Sequence, residues 1–269
     1  MMAQASRAFI SEAQRAGWTP TVKIDAVDIV AQLASGRSRR HLNHLFTWNH
    51  RWIALLSERN RRTAVDTYDF IDEHLHSAVF FLDQFEVLKS KASEIQYERG
   101  SILDLGVHTG GSTRALARIF PSSTIHGFDS FEGLPDDWSH MLKGGFGEVG
   151  GKLPSMPNNV VLYKGWFDDT LPVWRDRNSH QPIAVLRVDC DLYSSTRTAF
   201  DELKALIRPG TWIVFDELIG YREWRQHEYR AFQEFLAETG FTYTYVAYGL
   251  TYVIVKLGEP ETPESTLLE

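Results

Sequence analysis

A glycine-rich turn between an apolar run and a helix-like segment constrains the fold of this chain more than any other feature. The run Ile102 to Leu105 contains Asp104, and glycines follow at positions 106, 110 and 111. Ser112 and Thr113 then provide good helix N-caps before a helix-like segment that reaches residue 120. A strand, a glycine turn and a helix start in this order predict the first crossover of a nucleotide-binding α/β sheet.

The acid after the next predicted strand supports a nucleotide site. Residues 124–128 form a strand pattern that ends at Asp129, where a carboxylate is placed to bind both ribose hydroxyls of a nucleoside. The turn differs from the dinucleotide pattern G-x-G-x-x-G, because His108 stands at the position of the middle glycine. The turn alone therefore leaves both a nucleotide loop and an ordinary tight turn open.

Composition narrows the class of partners. The net charge of −7 and the pI near 5.8 argue against nucleic acid, since no basic excess is available to neutralise phosphates. One cysteine, Cys190, excludes an internal disulfide framework and fits a reducing compartment. No apolar run approaches the ~20 residues of a membrane span, which argues against a membrane protein. The N-terminus lacks an apolar signal core, so we expect a cytoplasmic protein.

The sequence pattern divides the chain into three parts. Residues 1–97 are predicted to form a helical N-terminal extension, with helices at 41–56 and 67–93 that serve as a cap over the ligand site or as a homodimer surface. Residues 98–257 are predicted to form the ligand-binding domain. Residues 258–269, with four acids and two prolines, are predicted to be a disordered tail.

Strands and helices alternate through the middle part. Strands are predicted at 101–105, 124–128, 159–163, 183–188 and 211–215, and helices at 112–120, 167–177, 195–207 and 223–238. The segments 241–248 and 251–256 then predict a closing antiparallel hairpin. This α/β plan is that of the Rossmann-like class I methyltransferases, a parallel sheet with a C-terminal antiparallel hairpin. A dinucleotide dehydrogenase normally ends on another parallel crossover.

Two connections after the predicted strands carry further signals for a bound nucleoside. In the connection that begins at Asp129, the loop from Trp138 to about residue 159 holds five glycines, which indicates a mobile lid rather than a packed element. After the third strand, Gly165 is followed by Trp166 and Phe167, which offer an apolar face to a purine ring. The alternative for the first connection is an ordinary surface loop. The alternative for the second is that Asp168 or Asp169 merely caps the helix that follows.

Four carboxylates follow the fourth and fifth strands. They are Asp189, Asp191, Asp216 and Glu217, and parallel strands bring such residues to one cleft. Like charges at close range are costly unless a cation or shared protons offset them, and oxygen ligands alone favour a hard ion such as Mg²⁺. The alternative to a metal site is that these acids cap helix N-termini, with one carboxylate held by hydrogen bonds. His227 and Glu228 begin the next predicted helix near the same face and could assist.

These motifs resemble the macrocin O-methyltransferase family. The resemblance rests on Asp104-Leu-Gly106 with Gly110-Gly111, Gly127-Phe-Asp-Ser-Phe-Glu-Gly-Leu-Pro135, Gly165-Trp-Phe-Asp-Asp-Thr-Leu-Pro172 and Val188-Asp-Cys-Asp-Leu-Tyr-Ser-Ser-Thr196. It covers about residues 100–257. The family implies S-adenosylmethionine-dependent methylation of sugar hydroxyls in natural products, with Mg²⁺.

Carried over residue by residue, the resemblance implies roles for most of these positions. Asp189, Asp216 and Glu217 would ligate the metal, Asp191 would be the general base, and His227 is a second catalytic candidate. The expected cofactor-binding residues are Asp104, Gly106, Val107, His108, Thr109, Gly110, Ser112, Thr113, Asp129, Ser130, Phe131, Gly165, Trp166, Phe167 and Asp189. The family typically has two aspartates where this chain has Asp216-Glu217, and the segment 224–229 also departs from it.

The leading hypothesis is therefore a metal-assisted O-methyltransferase that acts on a sugar-bearing or polyhydroxylated small molecule. A sugar hydroxyl is a poor nucleophile at neutral pH, so an acidic cluster that activates it has a reason to exist. The alternatives are a nicotinamide-dependent oxidoreductase and a non-catalytic nucleoside-binding protein on the same sheet.

Overall fold

The positions of the strands decide where a ligand can bind, and the computed structural model describes them within residues 39–96, 100–138 and 141–261. Side chains are described from residue 55 onward. The chain divides into two compact units, Met1–Arg59 and Asn60–Glu269. Everything said below about packing concerns the second unit. The first 38 residues of the predicted N-terminal extension lie outside the described residues.

Eight strands and six helices make up the described part of the chain. The helices are α1 (Arg39–His74), α2 (Gln84–Lys91), α3 (Gly111–Ile119), α4 (Phe167–Arg177), α5 (Tyr193–Leu203) and α6 (Glu228–Thr239). The strands are β1 (Val79–Phe80), β2 (Ser101–Leu105), β3 (Ile125–Asp129), β4 (Val160–Lys164), β5 (Ile183–Val188), β6 (Trp212–Phe215), β7 (Phe241–Tyr248) and β8 (Val253–Pro260). Two short 3₁₀ turns lie at Gly147–Val149 and Trp224–Gln226.

The strands form one mixed sheet in the order β1-β7-β8-β6-β5-β2-β3-β4. Strands β2 to β6 are parallel to one another, whereas β8 runs antiparallel to both β6 and β7. The predicted fold class is confirmed, including the C-terminal antiparallel hairpin. Strands β2, β5 and β6 are buried along their whole length, as expected for parallel strands covered on both faces.

The predicted helix over residues 67–93 is wrong. Helix α1 ends at His74, and the apolar run after it forms the short edge strand β1, which pairs in parallel with β7. Val79 and Phe80 favour a strand because β-branched and aromatic side chains suit a pleated surface. Asp83 then caps α2, since its carboxylate accepts the backbone N–H of Phe85 at 2.8 Å.

The C-terminal boundary also differs from the sequence prediction. Gly258, Glu259 and Pro260 belong to β8, whereas the predicted tail began at Gly258. Residues 262–269 lie outside the described residues. Among the described helices, none has the length and apolar character that a membrane crossing requires. The three-part division of the chain stays a prediction.

Candidate active site

A cavity of about 570 Å³ opens at the carboxyl ends of the parallel strands. Loops that follow β2, β3, β4, β5 and β6 all contribute to its wall, which is where open α/β sheets bind ligands. Seven of its lining residues are acids, namely Asp129, Asp136, Asp168, Asp189, Asp191, Asp216 and Glu217. The strand order therefore gathers the predicted acids into one site.

The turn after β2 is held by a buried carboxylate beneath it. Asp104 is fully buried, and its Oδ2 accepts the hydroxyl protons of Ser112 at 2.9 Å and Thr113 at 2.6 Å. These bonds fix the start of α3 against the end of β2. Gly106 has a φ of +98°, and a Cβ there would lie 1.8 Å from the carbonyl oxygen of Asp189. Glycine is required at position 106 because two loops of the site meet there.

Asp129 stands at the end of β3 with both carboxylate oxygens oriented by the backbone. Its Oδ2 accepts the N–H of His108 and its Oδ1 accepts the N–H of Phe131, each at 2.6 Å. Two backbone donors fix the carboxylate in one orientation in the cavity wall. The Nε2 of His108 also lies within hydrogen-bond distance of a carboxylate oxygen of Glu148, at 2.9 Å, which links the turn after β2 to the glycine-rich connection.

The predicted purine-binding segment follows β4. Gly165 donates its backbone N–H to the carbonyl oxygen of Asp129 at 3.0 Å, so this segment lies beside the ribose-binding candidate. Trp166 keeps 36% of its surface exposed, and both Trp166 and Phe167 line the cavity. An aromatic side chain in this position offers an apolar face next to the acid that would bind a ribose.

Three of the acids lie closer together than the rest. Carboxylate oxygens of Asp189, Asp191 and Glu217 are all within 4.8 Å of one another. Asp216 instead pairs with Arg187 and accepts a hydrogen bond from Gln84. The structure thus groups Asp191, the predicted base, with two of the three predicted metal ligands. The ligand set itself stays a prediction.

Burial and mutual repulsion change the acidity of this cluster. Burial raises the pKa of Asp189, although Arg187 opposes the shift. Burial raises the pKa of both Glu217 and Asp191, and the interaction between the two acids raises that of Glu217 further while it opposes the shift of Asp191. Asp191 has a φ of +62°, a strained value for a residue with a Cβ, and such strain is common at functional sites.

Sequence reasoning missed Arg187, a basic residue at the centre of the acid cluster. Its guanidinium is 4% exposed and bonds to Asp104 at 3.1 Å, to Asp189 at 2.9 Å and to Asp216. An arginine inside an otherwise apolar strand, directly before an acid-rich loop, is the signal that could have identified it. A charged residue in a buried strand is costly unless acids surround it.

The start of α6 contributes one buried acid next to the site. Glu228 is fully buried, and its Oε1 accepts the backbone N–H of Cys190 at 3.4 Å. Burial raises the pKa of Glu228, and the nearby acids add to the shift. His227 is not among the lining residues, and burial lowers the pKa of its imidazole. The catalytic role of His227 stays a prediction.

The structure brings most of the predicted site residues to the cavity wall. Those that line it are Gly106, His108, Asp129, Ser130, Gly165, Trp166, Phe167, Asp189, Asp191, Asp216 and Glu217. Those that do not are Asp104, Val107, Thr109, Gly110, Ser112, Thr113, Phe131 and His227. Lining residues that the sequence reasoning did not select include Leu134, Pro135, Phe146, Ser194, Ser195 and Thr198.

Part of the glycine-rich connection is a packed element. Leu134 donates its backbone N–H to the carbonyl oxygen of Gly145 at 2.8 Å and accepts from Gly144 at 2.9 Å. Leu134 and Trp138 are buried in one cluster with Leu192, the residue after Asp191. The connection therefore forms a folded wall of the cavity, and its predicted mobility stays a prediction.

The strand order, with its C-terminal antiparallel hairpin, is that of the class I methyltransferase fold. Residues 153–244 match the family described as macrocin O-methyltransferase (TylF). This match confirms the resemblance recognised in the sequence.

Individual relatives agree with this class. One from Streptomyces olivaceus, named 8-demethyl-8-(2,3-dimethoxy-alpha-L-rhamnosyl)-tetracenomycin-C 4'-O-methyltransferase, is 30% identical over 141 residues. The aligned region is 44% of this chain and 52% of the relative, so the chain spans about half the length of that protein. The crystal structure of CalS11, a calicheamicin methyltransferase, has the same fold, with a TM-score of 0.54 and 20% identity over 76% of this chain and 93% of that one.

Proposed function

We propose that this protein transfers a methyl group from S-adenosylmethionine to a hydroxyl of a sugar-bearing or polyhydroxylated small molecule. One observation carries the proposal. A carboxylate placed to bind ribose, an aromatic face and a cluster of acids line one cavity of about 570 Å³. The name of the Streptomyces olivaceus relative, which denotes methylation of a rhamnosyl group, supports a sugar hydroxyl as the acceptor.

The residues of the cavity fit the cofactor. Asp129 is held by two backbone donors at the end of β3, in the position that binds ribose hydroxyls in such sheets. Trp166 and Phe167 would contact the adenine ring. Gly106 lines the cavity, and its lack of a side chain lets the turn after β2 lie directly against the carbonyl oxygen of Asp189. We assign the methionine end of the cofactor to this turn.

The acid cluster also fits a divalent cation. Its donors are carboxylate oxygens within 4.8 Å, which suit a hard ion such as Mg²⁺. Glu217 has a buried Oε2 without a hydrogen-bond partner in the described part of the chain, as a metal ligand would before the ion binds. Asp189, Asp216 and Glu217, which all line the cavity, would hold the ion, and Asp191 beside them would remain available as a base. When bound, it would lower the pKa of an acceptor hydroxyl.

Asp191 is the residue that we propose as the proton acceptor. S-adenosylmethionine, when bound, would supply a methyl group activated on its sulfonium, with the electron pair of the broken bond remaining on sulfur as the acceptor oxygen forms the new bond. The carboxylate of Asp191 would accept the hydroxyl proton. Asp191 lines the cavity beside Asp189 and Glu217, and burial raises its pKa, which makes it a stronger proton acceptor than an exposed aspartate. The buried wall around Leu134 would exclude water from this step.

Isothermal titration with S-adenosylmethionine and S-adenosylhomocysteine tests the cofactor assignment. We expect micromolar binding to the wild type and a loss of at least 30-fold in Asp129→Ala, because the ribose loses its carboxylate partner. Asp176→Ala, on the exposed surface of α4, is the matched control and should bind as the wild type does. No binding to the wild type would refute the proposal and favour another nucleotide, such as a nicotinamide cofactor.

Turnover is tested separately from binding. Methyl transfer to a panel of glycosylated small molecules, followed as release of S-adenosylhomocysteine, should require an added divalent ion. Tight cofactor binding with no transfer to any hydroxyl compound would instead favour a non-catalytic nucleoside-binding protein.

A further inference from the structure

Arg187 joins three carboxylates that belong to different strands of the sheet. Its Nη1 donates to Asp104 at the middle of β2 and to Asp189 after β5, and its Nη2 donates to Asp216 after β6. The Nε also donates to Gln84 Oε1 at 3.3 Å, at the start of α2. With 4% of its surface exposed, this guanidinium is locked in one orientation.

The three bonds connect the two halves of the site. Asp104 holds Ser112 and Thr113 through its Oδ2 and Arg187 through its Oδ1, so the cofactor-side turn is linked to the acid cluster. On the cluster side, Arg187 occupies Oδ2 of Asp189 and Oδ1 of Asp216. The other oxygen of each carboxylate is left for a cation in the cavity, which both residues line.

We propose that Arg187 is a positioning residue that aims Asp189 and Asp216 at the divalent ion. The inference rests on the proposed function, because it concerns the ion-binding arrangement of the same site. A planar fork with fixed donors can hold two carboxylates from neighbouring strands at a set separation, which a flexible ammonium cannot do. Arg187 itself touches neither the reacting atoms nor the ion.

Charge neutralisation alone would predict the opposite effect on metal binding. If Arg187 only offsets negative charge, its removal makes the cluster more negative and a divalent cation binds more tightly. If Arg187 positions the ligands, its removal lets Asp189 and Asp216 turn away, and the cation binds more weakly. The sign of the change in affinity therefore separates the two roles.

Binding of Mn²⁺ alone, measured from the electron paramagnetic resonance signal of the free ion, is the test. Arg187→Lys keeps the charge without the fork, and Arg187→Met removes both. We expect each variant to bind Mn²⁺ at least ten-fold more weakly than the wild type, with S-adenosylhomocysteine affinity changed less than three-fold in Arg187→Lys. Arg175→Lys is the control, because Arg175 bridges Glu202 and Asp176 between α4 and α5 and does not line the cavity.

The outcomes separate this inference from the proposed function. Unchanged Mn²⁺ affinity in Arg187→Lys, or tighter binding in Arg187→Met, overturns the positioning role and leaves the metal site intact. A wild type that binds S-adenosylhomocysteine but no Mn²⁺ refutes the metal site and this inference with it. If circular dichroism shows that Arg187→Met does not fold, the Mn²⁺ affinity of Arg187→Lys alone tests the inference. Loss of the folded spectrum in Arg187→Lys as well would show a purely structural role and overturn the inference.

Discussion

Carboxylate oxygens of Asp191 and Glu217 lie within 4.8 Å of each other in the wall of the cavity. Burial raises the pKa of both acids, and the interaction between them raises the pKa of Glu217 further while it opposes the shift of Asp191. Of the two, Asp191 is the acid that ionises more readily, and we assign the role of base to it.

Asp191→Asn should lose turnover without losing the cofactor. An amide cannot accept the hydroxyl proton, so we expect kcat to fall by about 10² to 10⁴, whereas the affinity for S-adenosylhomocysteine should change little. The measurement is methyl transfer to an accepted glycoside, beside isothermal titration of the product cofactor. Asp176→Asn serves as the control. A variant that keeps more than half of the wild-type kcat would exclude Asp191 as the base.

The glycines of the site provide a matched pair of backbone tests. A Cβ at position 106 would lie 1.8 Å from the carbonyl oxygen of Asp189, and the φ of +98° already disfavours it. At Gly111, in the first turn of α3, a Cβ would meet nothing within 4 Å. We expect Gly106→Ala to weaken S-adenosylhomocysteine binding more than 30-fold and to lower the melting temperature.

Gly111→Ala should melt at or above the wild-type temperature, because alanine favours the helix and restricts the unfolded chain. Thermal melts and titrations of the two variants check both expectations. Equal cofactor affinity in Gly106→Ala and the wild type would contradict the close approach of the two loops.

Local patterns were enough to predict the sheet and half of the site. Strand β2, the turn at Gly106 and the acid Asp129 follow one another along the chain, and each has a composition that few other structures tolerate. The order of parallel strands then places every loop after a strand at one edge, so Asp189 and Glu217 could be assigned to the same cavity before any contact was known.

Contacts that depend on side-chain geometry across the sheet could not be predicted in this way. Apart from Asp189, the partners of Arg187 lie 29 to 103 residues away in sequence, so no local spacing reveals them. The strand β1 was missed because two residues carry too little pattern, and its pairing with β7 depends on a segment about 168 residues further on. The packing of Leu134 against Leu192 could not be predicted either, because the two residues are far apart in the sequence.

The contribution of Glu228 to the stability of the folded protein should be greater in mild acid than at neutral pH. Its pKa is raised in the folded state by burial, so its contribution to stability is complete below the unfolded value of 4.5 and is lost as the pH rises towards the folded value. Glu228→Gln keeps the acceptor for the N–H of Cys190 and cannot ionise. At pH 8 the variant should therefore be more stable than the wild type.

Urea unfolding at pH 4.5 and pH 8 measures this effect. The difference between variant and wild type should be small at pH 4.5 and should grow with pH. Glu259→Gln, at an exposed position in β8, should show no such growth. A variant that is less stable than the wild type at pH 8 would mean that Glu228 is ionised and paired in the fold.

His126 should destabilise the fold in acid, opposite in direction to Glu228. It lies in β3 with its Nδ1 3.1 Å from the hydroxyl of Tyr163 and its ring 5.2 Å from Trp174, and burial lowers its pKa from 6.5 to about 4. A lowered histidine pKa means that its contribution is complete above pH 6.5 and is lost as the pH falls from 6.5 to about 4. Because the ring is partly exposed, we expect a loss of about 1 to 2 kcal/mol.

His126→Asn tests this, since an amide can replace Nδ1 in the bond to Tyr163 and does not titrate in this range. Between pH 7 and pH 4.5, the wild type should lose about 1 to 2 kcal/mol more unfolding free energy than the variant, measured with urea. His180→Asn, at an exposed position after α4, should follow the wild-type profile. Parallel profiles for the wild type and His126→Asn would mean that the imidazole protonates in the folded protein as readily as in the unfolded chain.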